Sequence, residues 1–77
     1  MPVNDDPLFA ALRNMRRQLA QQQGVPPYVV FHDSTLTAMA AMRPQTLDEF
    51  AELPGVGVRK LQTYGDAFLQ VLRDVAY

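Results

Sequence analysis

The segment LPGVGVRK, residues 53–60, is the feature that most constrains the fold of this chain. Pro54 cannot continue a preceding helix, and Gly55 and Gly57, on either side of Val56, let the backbone reverse direction within a few residues. Apolar residues at helical spacing stand on both sides of the segment. The segment therefore predicts a tight hairpin that ends one helix and begins the next.

The hairpin (residues 53–60) also predicts a chemical property. If Gly57 opens the second helix, the unpaired amides of Gly57, Val58 and Arg59 point outward together at the positive end of the helix dipole. Arg59 and Lys60 follow in the first turn, where cations are unfavourable for the helix but favourable for a bound phosphate. The pattern predicts an anion site of the helix-hairpin-helix kind. A purely structural turn is the alternative.

The N-terminal part of the chain predicts a long amphipathic helix. Asp6 followed by Pro7 is typical of a helix start, and Gly24 supplies a C-terminal cap, so the helix is expected to end at about Gln23. Its apolar residues recur every three or four positions and form one stripe that faces a core. The stripe consists of Leu8, Ala11, Leu12, Met15 and Leu19.

The next segment, VPPYVVF at residues 25–31, is a short apolar run that contains two prolines. A single strand would have no partner elsewhere in the chain, so a short helical turn packed into the core is the better prediction. Tyr28 follows the prolines, which hold it rigidly. Its ring is either a platform on which a nucleobase stacks or a core tyrosine whose hydroxyl reaches water.

A second full helix is expected after a polar connector. Asp33 or Ser34 is its predicted N-cap, and the helix should end around Arg43 because Pro44 disfavours helical geometry in the residue before it. Its inward residues would be Leu36, Met39 and Ala40. His32 is the single histidine, so a capping or surface role is expected for it and not metal binding.

Two further helical patterns flank the hairpin. Thr46 and Glu49 form a capping box for a short helix whose predicted inward residues are Leu47, Phe50, Ala51 and Leu53. After the hairpin, one apolar face repeats through Leu61, Tyr64, Phe68, Leu72 and Val75. Gly65 interrupts this face at a cost of about 1 kcal/mol against alanine, so we expect a break or a close helix crossing there and divide the segment into two helices. The predicted fold is all-α, a compact bundle of about five short helices.

Composition excludes several classes of function. A chain of 77 residues, 48% of them hydrophobic, makes one small domain, expected over residues 6–77 after a lead-in of residues 1–5. The absence of cysteine excludes disulfides, thiolate metal sites and cysteine nucleophiles. No catalytic constellation or nucleotide-binding glycine loop is present, so neither catalysis nor a cofactor is expected. With no apolar run long enough to span a membrane and no secretion signal, we expect a cytoplasmic monomer.

The charges are segregated along the chain, although the net charge is only −1. Five of the seven cations fall into two clusters, which are Arg13, Arg16 and Arg17, then Arg59 and Lys60. The arginines fan out along one flank of the first helix, which is either a nucleic-acid surface or a solvated helix edge. The acids before the hairpin form a candidate protein-interaction face of Asp48, Glu49 and Glu52.

Three stretches, taken in order, resemble one known family. They are Leu8-Phe9 with Leu12-Arg13, the VPPYVVF segment, and Pro54-Gly55-Val56-Gly57 with Lys60, Tyr64-Gly65 and Phe68. From about Leu8 to Leu72 the chain resembles the HRDC domain, the helicase and RNase D C-terminal module that follows the catalytic core of RecQ-type DNA helicases. The resemblance implies a five-helix bundle that performs no chemistry of its own.

The same resemblance implies a function for the domain. It would assist a helicase core to which it is tethered by contacting single-stranded or branched DNA without reading sequence, in DNA repair and recombination. By analogy the contact surface would draw on Arg13, Arg16, Arg17, Tyr28, Gly55, Gly57, Val58, Arg59 and Lys60. Two alternatives remain: a regulatory module that docks on the helicase core or a partner through the acidic face, and an RNA-binding module.

Overall fold

The computed structural model describes residues 7–75, and five helices make up most of this range. They are α1 (Pro7–Gln23), α2 (Pro27–Val30), α3 (Asp33–Met42), α4 (Leu47–Ala51) and α5 (Val58–Val75). The described residues contain no strand. The prediction of an all-α bundle of about five helices is confirmed. The cap predicted at Asp6 and the lead-in predicted for residues 1–5 lie outside the described residues.

The core lies between the two long helices, α1 and α5, which pack against each other. α1 also packs against α2 and α3, and α4 packs against α5. Phe31, between α2 and α3, is fully buried, and its ring centroid lies 5.2 Å from that of Phe68, 5.8 Å from Tyr64 and 6.1 Å from Phe50. The contacts with Phe68 and Tyr64 are edge-to-face, and such pairs contribute about 0.5–1.5 kcal/mol each beyond burial. Phe31 therefore joins the α2–α3 connection to α4 and α5.

α1 ends as the sequence predicts. Gly24 has a φ of 69°, and its amide donates to the Gln21 carbonyl at 3.2 Å, while the Val25 amide donates to the Ala20 carbonyl at 3.0 Å. This pair of hydrogen bonds is the Schellman motif, which a left-handed glycine completes without strain. The predicted stripe faces the core, and Phe9 and Ala20 are buried beside it.

The cap of α3 differs from the prediction. The N-cap is His32 and not Asp33 or Ser34, and the His32 side chain makes no capping hydrogen bond. Asp33 is already the first helical residue, and its carboxylate pairs with Arg16 of α1 instead. α3 ends at Met42 with Arg43 as its C-cap, where the sequence predicts its end. Local capping rules assign the Asp33 carboxylate to the start of α3. In the structure this carboxylate forms an ion pair with Arg16 of α1 instead.

α4 has the predicted N-cap at Thr46, but the return bond of Glu49 goes to Gln45 and not to Thr46, and the inward face is narrower than predicted. The Thr46 hydroxyl accepts from the Glu49 amide at 3.2 Å, and the Glu49 carboxylate accepts from the amide just before the cap at 2.8 Å. Phe50 and Leu53 are buried as predicted, whereas Ala51 is exposed and the prediction that it faces inward is wrong. Leu47 is 42% exposed, although its Cδ2 lies against Gly65 of α5. A five-residue helix makes little more than one turn, and only one row of its side chains reaches the core.

α5 is one unbroken helix, so the predicted division at Gly65 is wrong. Gly65 is buried, and a Cβ placed on it would lie 2.9 Å from Cδ2 of Leu47. Because Gly65 has no side chain, α4 can approach α5 closely at this point. A close crossing is the alternative to a break that the sequence predicts. Tertiary packing of the apolar face outweighs the local cost of glycine in the helix. The predicted buried residues Tyr64, Phe68 and Leu72 all lie in the core.

Candidate nucleic-acid interface

Tyr28 lies on the surface and not in the core. Pro26 is extended (φ −63°, ψ 151°) and Pro27 begins α2, so Tyr28 is placed in the first turn of a helix whose entry the two prolines restrict. The Tyr28 side chain is 58% exposed. The His32 ring stacks against it, with centroids 6.0 Å apart and planes 24° apart. The ring is therefore presented to solvent beside a second ring.

The arginines of α1 lie next to this segment. A surface depression of about 290 Å³ is lined by Ala10, Arg13, Asn14, Arg16, Arg17 and Pro27. Residues of α1 that stand 10 or more positions before Pro27 thus share one basic concave surface with it. The depression contains no residue of the hairpin.

The three arginines are not equivalent. Arg13 and Arg17 are exposed, and Arg17 donates to the side chain of Asn14 at 3.0 Å. The Arg16 side chain is only 11% exposed, and its Nη1 donates to the Phe31 carbonyl at 3.0 Å and lies 2.7 Å from a carboxylate oxygen of Asp33. The predicted solvent-facing role fits Arg13 and Arg17 better than Arg16.

The three amides that the sequence predicts to be unpaired, those of Gly57, Val58 and Arg59, have no acceptor within α5. α5 begins at Val58, and the Gly57 carbonyl accepts from the Leu61 amide at 2.9 Å, so Gly57 precedes the helix. The amides without an intrahelical acceptor are then the first four, that of Gly57 at the N-cap and those of Val58, Arg59 and Lys60. Val58 is 72% exposed and Arg59 is exposed as well. The start of α5 is therefore open to solvent, as an anion site requires.

Gly55 has a structural role that the sequence pattern leaves open. It has a φ of 83°, a conformation that favours glycine, and a Cβ placed on it would fall on the Thr35 hydroxyl. That hydroxyl donates to the Pro54 carbonyl at 3.0 Å. Because Gly55 has no side chain, the Thr35 hydroxyl of α3 can approach the hairpin and bond to Pro54.

Lys60 connects the hairpin to the other candidate residues. Its side chain is half-buried, with Nζ 5.7 Å from the centroid of the Phe31 ring. The backbone carbonyl of the same Phe31 accepts from Arg16. The structure therefore brings Lys60 of the hairpin and Arg16 of α1 to one residue, Phe31.

The acidic residues before the hairpin are exposed and divide between two other depressions. Asp48 lines one of about 460 Å³ together with Asp66 and Arg73. Glu49 and Glu52 line one of about 240 Å³. Neither depression shares a lining residue with the basic depression beside α1.

Sequence reasoning missed two members of this surface. His32 stacks on Tyr28, and Asp33 pairs with Arg16. Helical spacing does not predict the contact between Tyr28 and His32, because α2 ends at Val30 and the extended Phe31 separates it from His32. No sequence signal connects Arg16 with Asp33, since their contact arises from the packing of α1 against the start of α3.

These features define a small helical-bundle domain with an exposed aromatic ring beside a basic depression. Within residues 7–75 no helix is long and apolar enough to cross a membrane, and no group of side chains is suited to hold a metal ion.

The family model of the HRDC domain matches residues 5–72, and the chain belongs to the HRDC family, as the sequence predicts. It is 44% identical over 74 residues to the ATP-dependent DNA helicase RecQ of Bacillus subtilis, covering 96% of this chain and 12% of that protein. It is 42% identical over 69 residues to the ATP-dependent DNA helicase UvrD2 of Mycobacterium tuberculosis H37Rv, covering 90% of this chain and 10% of that protein. The chain thus spans about a tenth of the length of these relatives. A solved structure, HRDC domain 3 of D. radiodurans RecQ, matches with a TM-score of 0.87 and 42% identity, covering 90% of this chain and 91% of that one.

Proposed function

We propose that this chain is a non-catalytic accessory domain of a RecQ-type DNA helicase that binds single-stranded or branched DNA without reading its sequence. The observation that carries the proposal is that Tyr28, 58% exposed, directly follows Pro27, which lines a depression together with three arginines. An aromatic face stacks on any base, and arginines that contact phosphates position a strand without specifying its sequence.

The hairpin contributes a second set of phosphate contacts in this proposal. The amides of Gly57, Val58, Arg59 and Lys60 have no acceptor in the helix, and the Arg59 side chain is exposed beside them. A net charge of −1 implies weak affinity for the isolated domain. Tethering to a helicase core compensates for this weakness, because short flexible linkers give effective concentrations of about millimolar.

The names of the relatives support the parent enzyme, since both RecQ and UvrD2 are ATP-dependent DNA helicases. In the proposed role the helicase core hydrolyses ATP and moves along DNA, while this domain influences which DNA structures the enzyme engages during repair and recombination. The domain would act as a monomer, in the cytoplasm with the nucleoid DNA, and would require no cofactor.

The proposal is tested by titrating the chain into fluorescently labelled single-stranded DNA at several salt concentrations and following anisotropy. We expect log K to fall linearly with log salt, with a slope of about −0.7 for each phosphate neutralised. Affinity that is absent at low salt, or that does not depend on salt, would contradict DNA binding. An RNA strand of the same sequence distinguishes the RNA-binding alternative, which requires RNA to bind more tightly than DNA.

One observation favours a second candidate, a protein-docking role for the acidic face. Met42 is 58% exposed and lines the same depression as Glu49 and Glu52, while Leu47 is 42% exposed and lines the depression that contains Asp48. Exposed apolar side chains bordered by charge are typical of protein contact surfaces. Reversal of all three acids to lysine would then abolish association with the helicase core. The same variant would keep or improve DNA affinity if DNA binds elsewhere.

A further inference from the structure

Arg16 has surroundings unlike those of its neighbours on α1. One nitrogen, Nη1, reaches both the Phe31 carbonyl at 3.0 Å and the Asp33 carboxylate at 2.7 Å. These two residues stand on either side of His32, the N-cap of α3. A side chain of α1 thus holds both ends of the α2–α3 junction (residues 31–33).

The junction determines where the exposed rings lie. α2 has only four residues and no side-chain cap, so its position depends on tertiary contacts and not on its own hydrogen bonds. His32 belongs to the junction and stacks on Tyr28 of α2. The buried Phe31 ring fixes one side of the junction, and the Arg16 contacts fix its backbone on the other.

We propose that Arg16 is a positioning residue, which holds the α2–α3 junction so that Tyr28 and His32 present their rings to DNA, and which does not itself contact phosphate. The inference rests on the proposed DNA-binding function and reassigns one residue within it. The Arg16 side chain is 11% exposed, and its Nε is buried without a hydrogen-bond partner, out of reach of a phosphate in solvent. Little of the guanidinium remains for a phosphate, whereas Arg13, three residues earlier, is exposed.

The first test compares Arg16→Gln with Arg13→Gln, a matched loss of one charge on the same helix. Both variants should weaken binding of labelled single-stranded DNA by about threefold or more. Only Arg13→Gln should reduce the salt dependence of log K, by about 0.7, because only a residue that neutralises phosphate releases counterions. A reduction of the slope by Arg16→Gln equal to that of Arg13→Gln would overturn the proposal.

The second test uses Asp33→Asn, for which the two roles predict opposite signs. Removing an acid near the binding surface should strengthen DNA binding if only net charge matters. Under the proposal Asp33→Asn removes the ion pair with Arg16 and weakens DNA binding by about two- to fivefold, the effect expected from the loss of one surface ion pair. Asp33 is 81% exposed, so this variant is expected to stay folded and carries the test even if Arg16→Gln unfolds. Tighter or unchanged binding would refute the positioning role.

The third measurement needs no DNA. In NMR spectra of the free chain, cross-relaxation between the Tyr28 and His32 ring protons should weaken in Arg16→Gln and persist in Arg13→Gln. Persistence in both variants would overturn the proposal. If the unchanged chain fails to bind DNA, the proposed function is wrong, and the ring contact still decides whether Arg16 positions the junction.

Discussion

The hydroxyl of Thr35 in α3 donates a hydrogen bond of 3.0 Å to the carbonyl oxygen of Pro54 in the hairpin, 19 residues later. Thr35 is 2% exposed and is the one polar residue that is buried in residues 7–75. The contact anchors the hairpin to the body of the domain, and the left-handed Gly55 lies directly against it. The orientation of the start of α5 therefore depends on a residue outside the hairpin.

Gly55→Ala should destabilise the domain by about 2–3 kcal/mol. Left-handed geometry costs a residue with a Cβ about 1–2 kcal/mol, and displacing the Thr35 hydroxyl costs about another 1 kcal/mol. Gly57→Ala is the matched control, because a Cβ there meets nothing within 4 Å. It should lower the free energy of unfolding by less than about 1 kcal/mol, the scale of a changed N-cap. Urea denaturation measures both, and equal losses would contradict the anchoring role of Gly55.

The close approach of Leu47 to Gly65 predicts a coupling between these residues. Gly65→Ala gains about 1 kcal/mol of helix propensity, but the new methyl group displaces Leu47 Cδ2, which lies 2.9 Å from the Cβ position. In a Leu47→Ala background the nearest remaining atom is Cδ1 of Leu61 at 3.4 Å, an ordinary contact, so Gly65→Ala should then stabilise by up to about 1 kcal/mol. A double-mutant cycle measured by denaturation tests this. Strict additivity of the two substitutions would show that the side chains do not interact.

The sequence was sufficient to predict the helices and most of the core, because periodicity, prolines and caps are local signals. It failed at Gly65 and Asp33 for one reason. The local rules assign a break to a glycine and a capping role to an aspartate, whereas packing against α4 and pairing with Arg16 decide both outcomes. Likewise, the exposure of Tyr28 and the burial of Arg16 depend on how α1 meets α2 and α3, which residue spacing does not reveal.

Tyr28→Ala should weaken binding of single-stranded DNA by about 1–3 kcal/mol, the usual contribution of a stacked base. Tyr28→Phe keeps the aromatic face and should retain most of the affinity. The ring is 58% exposed, so neither variant should change thermal unfolding appreciably. Anisotropy with labelled DNA measures the affinities. If alanine and phenylalanine behave alike, stacking is not the role of this residue.

The two cations of the hairpin should respond differently to removal. Arg59 is exposed, so Arg59→Ala should weaken DNA binding and reduce the salt slope of log K by about 0.7 without affecting stability. Lys60 is half-buried with its ammonium over the Phe31 ring, so Lys60→Ala should also lower the free energy of unfolding by about 0.5–1 kcal/mol. Salt-dependent anisotropy and urea denaturation of both variants separate the two effects. If Arg59→Ala leaves affinity and slope unchanged, the open start of α5 does not face phosphate, and the interface is confined to Tyr28 and the basic depression beside α1.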